Sequence, residues 1–161
     1  MVEREASQDE RAPFEFQSRT VAAGYAYWRS KLRNGSLPAR SEIKPSEIPR
    51  ILPHTVLLDV HRAPELDFGY RLIGTRVVEH LHSDYTGLRM SDIEDQRAPS
   101  AIWNNCRTVV ETGAPLFPQT PYVGPHEAFR RAEDLILPLA ADGGTVDTLL
   151  IFIDYLSLAP R

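Results

Sequence analysis

At 161 residues and 42% apolar composition, the chain is the size of one domain and carries enough apolar material for one ordinary core. A formal net charge of −4 offers no broad basic field to a phosphate backbone, so no nucleic-acid partner is expected, and a single cysteine, Cys106, excludes an internal disulfide framework. No apolar run of about 18 residues is present to cross a bilayer, and the charged N-terminus lacks the apolar centre of a signal peptide; a cytoplasmic protein with no membrane contact is expected.

Residues 1–17 read as a flexible tail, because residues 1–13 are almost all charged or small and have too little apolar surface to offset the entropy of ordering. A helix is predicted over 18–33, where Val21, Tyr25, Trp28 and Leu32 recur at four-then-three spacing and Asn34-Gly35 supplies a stop. That aromatic stripe can pack on the chain's own sheet or on a second subunit, so these four residues are the candidate dimer or partner contact. Pro45, Pro49 and Pro53 limit the following stretch to short turns. Alternation then predicts strands over 54–61 and through Phe68, Tyr70 and Leu72, joined as an antiparallel hairpin. A short helix is predicted over 76–82, a single turn at 90–93, and a longer helix over 99–111 ended by Gly113. Residues 115–123 read as an irregular or edge strand, since Pro118 and Pro121 cannot donate to a ladder.

The last third, 129–155, reads as two strands around Asp142-Gly143-Gly144. In the second of them both alternating sets are apolar: Leu149, Ile151, Ile153 and Tyr155 on one side, Leu150 and Phe152 on the other. A strand of this kind is covered on both faces and sits centrally, next to the first strand. The whole predicts an α+β domain: a five-stranded antiparallel sheet with helices over one face and an N-terminal flanking helix.

Several local motifs carry a resemblance. Residues 70–75, Tyr-Arg-Leu-Ile-Gly-Thr, followed by a loop centred on Gly87, and Leu137-Pro138-Leu139 with Asp142-Gly143-Gly144, resemble the second strand, short helix, glycine loop and final hairpin of a PAS domain. Tyr27-Trp28-Arg29, Leu37-Pro38-Ala39-Arg40 and the proline run to Pro53 are similar to a branch of small PAS-like proteins found mainly in alphaproteobacteria. The resemblance implies a flanking helix at 18–36, a PAS-like domain over 37–157, and a sensory or regulatory module rather than an enzyme. Such a module binds a small ligand between sheet and helices, a signalling partner, or a second copy of itself. With little chain after the last strand, no effector is expected in cis.

On that resemblance the candidate ligand-binding residues are Tyr70, Leu72, His80, Trp103, Cys106, Tyr122 and Arg131. Arg131 shares a strand face with Glu133 and Leu135, where it either pairs with Glu133 or, if that face lines the cavity, grips an anionic ligand. Asn104-Asn105-Cys106-Arg107 resembles the flavin-reactive motif of LOV photosensors, but Cys106 sits within the helix leading to the third strand and the rest of the motif is missing, so flavin is not expected. Haem is not expected either, because that helix has no histidine, and His80 and His82, two apart, cannot share a metal on one helical face. His54 and Asp59 face opposite sides of one strand and form no dyad. Two other readings remain: a small enzyme with a curved-sheet pocket, which needs a pocket acid or base of shifted pKa, and a structural homodimer with a filled core.

Overall fold

The computed structural model describes residues 14–118, 125 and 129–157. Helix α1 (Arg19–Ser30) is started by Ser18, whose Oγ accepts the Val21 amide at 3.0 Å. Asn34 and Gly35, at φ 47° and 80°, make the turn that follows it. Three 3-10 turns, at Arg40–Glu42, Pro45–Glu47 and Leu52–His54, carry the chain to β1 (Thr55–His61), and β2 (Asp67–Ile73) pairs back on it antiparallel. The helix α2 (Thr75–Val78) and a 3-10 turn at Met90–Asp92 precede α3 (Ala101–Thr112), which starts on the Ser100 hydroxyl and ends at Gly113 with φ 64°. The strands β3 (Phe129–Leu139) and β4 (Thr148–Ser157) close the sheet in the order β2-β1-β4-β3. Asp142 Oδ1 accepts the Gly144 and Thr145 amides at 2.9 and 2.7 Å and fixes their turn.

As the two-sided apolar pattern of β4 requires, it lies between β1 and β3. Two expectations are corrected. The sheet has four strands among the described residues, not five: of the edge strand expected over 115–123, residues 115–118 are described, and Leu116 among them exchanges 2.9 Å hydrogen bonds with Ile136, while residues 119–124 lie outside the described residues. Pro115 and Pro118, on either side of Leu116, have no N–H to extend that bridge. Helices also cover both faces rather than one. The inner face, with Val56, Leu58, Phe68, Ile136, Leu149 and Ile151, packs under α2 and α3. The outer face, with Leu135, Leu137, Leu139, Leu150 and Phe152, packs under α1.

Candidate functional site

On the outer face, period two in the strands turns Glu133, Leu135, Phe152 and Asp154 toward α1. The helix lies close because residue 24 is glycine: a Cβ there would collide with the Phe152 ring. At its N-terminus, Glu133 accepts the Gln17 amide at 2.8 Å and the Ser18 amide at 2.5 Å, and Ser18 Oγ donates to Asp154 Oδ2 at 2.7 Å. Glu133 is 3% exposed, so this carboxylate is removed from water and answered by two backbone donors at a helix start. Further along, Trp28 Nε1 donates to the Pro138 carbonyl at 2.9 Å, and Glu47 accepts both Tyr27 Oη and Lys31 Nζ at 3.0 Å.

This seating corrects two expectations. Val21, Tyr25 and Trp28 are buried against the chain's own sheet, not displayed to a partner; of the four contact candidates, Leu32 is exposed. Arg131 lies on the outer face and donates to Gln17 Oε1 instead of lining a cavity between sheet and α3. It does not pair with Glu133 either, because the amides of Gln17 and Ser18 occupy that carboxylate.

Of the sequence candidates, the inner face brings Tyr70 and Cys106 together, while His80 lies further along β4, against Tyr155. Tyr70 Oη donates to Gln96 Oε1 at 2.5 Å, and its phenol is pushed far above the ordinary range, first by burial and then by the proximity of Cys106. Cys106 is fully buried; burial, and next the Asp134 carboxylate, push its thiol up as well, so it stays protonated and is a poor nucleophile. His80 Nδ1 donates to the Arg76 carbonyl at 2.8 Å, and the ring stacks on Tyr155 at 3.6 Å. Trp103, half-buried, meets Phe68 edge-on with ring centroids 6.2 Å apart and has Arg107 over its other side. Leu72 departs from expectation: the β-bulge opposite Leu57 and Leu58 shifts the register, so Leu72 pairs with Leu57 of the outer-face cluster and Ile73 takes the inner side instead. Tyr122 lies outside the described residues.

Sequence reasoning missed Asp134 and Gln96. Asp134 is 5% exposed on the same side of β3 as Ile136. Its signal was legible: Glu133 and Asp134 are consecutive acids leading into a strand apolar on both sides, so one of them must face each layer. Among the described residues no group of three metal-ligating side chains is found, and no helix is long and apolar enough to cross a membrane.

The sheet is antiparallel in the order β2-β1-β4-β3, with β4 beside β1 as expected and with short helices and α3 across its inner face. A family model of the PAS domain matches residues 16–153. The chain belongs to the PAS domain family. Its matched span takes in α1 as well as the sheet, so the helix that covers the outer face is part of this PAS domain. A crystal structure of a sensory box sensor histidine kinase from Vibrio cholerae is similar with a TM-score of 0.48 and 13% identity, over 70% of this chain and 90% of that one. A comparison with curated proteins finds no match. Membership makes this a PAS protein of the sensory and regulatory class.

Proposed function

We propose that this PAS domain is a regulatory module that responds to a small, mainly apolar molecule at the inner face of its sheet, and that it has no catalytic role. The observation that supports this reading is the convergence of Tyr70, Cys106 and Asp134 inside an otherwise apolar layer beneath α3. An uncharged phenol and thiol among apolar side chains suit a ligand with one or two polar atoms. His80 and Trp103 border that layer and would complete its walls. The response passes through α1 to a second copy or a signalling protein, with exposed Leu32 just past the end of the helix. Native mass spectrometry tests both parts in one spectrum. A dimer carrying a fixed extra mass, lost in Tyr70→Phe, supports the reading. A bare monomer whose melting temperature moves with no compound in a broad screen overturns the ligand.

A further inference from the structure

A cleft opens at the start of β2 and shares Trp103 with the border of the Tyr70–Cys106 layer. It has a volume of about 240 Å³ and is lined by Glu65, Leu66, Asp67, Arg89, Ser91 and Trp103, with Pro64 and Ala98 at its sides. Asp67 is 8% exposed. Its Oδ1 accepts the Phe68 amide at 2.9 Å and the Ser91 amide at 3.3 Å, and its Oδ2 accepts Ser91 Oγ at 2.5 Å. A carboxylate has roughly four acceptor sites, so one remains on Oδ2.

Arg89 lines the same cleft from an exposed position and reaches no described carboxylate. The backbone keeps these two charges apart. Asp67 is fixed within β2 and to Ser91, while residue 89 bridges to Gly69 and its amide is held by Asp92 Oδ2 at 3.0 Å. A buried anion and an unpaired cation therefore face one cleft without meeting, which is complementary to a molecule that carries both charges.

We propose that this cleft binds a free aliphatic α-amino acid. The ligand carboxylate takes the guanidinium fork of Arg89, and its ammonium takes the open site on Asp67 Oδ2, with Glu65 at the rim. The side chain lies against Leu66, Ala98 and Trp103. At about 30 Å³ per water, the cleft holds roughly eight water-sized units, which suits a ligand of the size of valine, leucine or methionine. A simple anion meets Asp67 and a simple amine meets Arg89, so each singly charged analogue loses one attraction and gains one repulsion.

Isothermal titration calorimetry on the full chain tests this, with L-valine, L-leucine and L-methionine as probes. Saturable binding of at least one is expected. For L-leucine, loss of the carboxylate (isoamylamine) or of the amine (4-methylpentanoate) should each weaken binding roughly tenfold or more, the effect of one charge-assisted hydrogen bond. Arg89→Gln should weaken it equally while leaving the unliganded melting temperature unchanged, since that side chain makes no described contact the fold needs. Tyr70→Phe should not affect it, which separates this site from the inner face. No saturable binding of any of the three, or binding that survives Arg89→Gln, overturns the proposal.

Discussion

The two faces of the sheet are closed in different ways. The inner face is covered by α2, α3 and the loops between them, all of which follow β2 in the chain, and it contains its own buried polar groups. The outer face is covered by α1 from the other end of the chain, with Phe14, Phe16, Phe117 and the 3-10 segment around Ile48 and Leu52 beside it, and the helix is held by bonds that span more than a hundred residues: Gln17 and Ser18 to Glu133, Ser18 to Asp154, Trp28 to Pro138. A cover with a few distant pins can come away as a unit, whereas one interleaved with the strands melts with them. The difference makes α1 the element able to move while the sheet stays folded.

The largest expected effects are those of truncating one ring on each face. Phe68→Ala and Phe152→Ala should each cost ~3–5 kcal/mol, since both rings are fully buried. Native-state amide exchange should distinguish them. Phe152→Ala should expose the amides of α1 first and leave the β1–β2 pairing protected, whereas Phe68→Ala should lower protection throughout. If both variants lose all protection together, the two faces are one cooperative unit and the contrast fails.

Next in size is Gly24→Ala. The added methyl would overlap the Phe152 ring, so the helix must lift or the ring must turn, at a cost of ~1–3 kcal/mol. Alanine favours a free helix over glycine by ~1 kcal/mol, so a loss of stability in chemical denaturation can come only from the crowded crossing. A stabilised Gly24→Ala protein would mean that α1 does not lie as close as described.

Glu133→Gln sharpens the comparison at the polar end. A glutamine keeps one acceptor but loses the charge and the second oxygen, leaving a buried amide of residue 17 or 18 unanswered at ~1–3 kcal/mol. The loss should appear as faster exchange at the start of α1, with β2 unaffected.

The sequence made the architecture legible where a periodic pattern had one solution. Both alternating sets of β4 are apolar, so its central place and two covered faces followed from residues 149–153 alone. The stripe Val21, Tyr25, Trp28 was equally plain, but a stripe does not say what it packs on. The decisive residue was Gly24, whose missing side chain matters only once Phe152 is seen opposite. Arg131 was misplaced for a related reason: alternation groups 131, 133 and 135 on one face but does not say which face lies under α1. The cleft beside Asp67 was not legible, because residues 65, 67, 89, 91 and 103 come together only when the β1–β2 hairpin and the turn at Met90–Asp92 have folded.

At neutral pH the smallest effect should come from the inner-face acids, and it grows only in alkali. Burial holds the proton on Tyr70 and on Cys106 above their ordinary values of 10.0 and 9.0. The unfolded chain therefore releases these protons first as pH rises, and the folded state binds more of them. Stability is unaffected below about pH 8 and falls above pH 9, by up to ~1.4 kcal/mol per pH unit for each group. Urea unfolding from pH 7 to 11 should show this decline, and Cys106→Ala should remove the part that begins near pH 9, leaving the part that begins near pH 10. In the same range a thiol reagent should modify Cys106 only as fast as the protein opens, because the side chain is fully buried. Modification faster than global opening, with α1 still protected, would show that the inner face opens by itself, and the assignment of the movable cover to α1 would then be reversed.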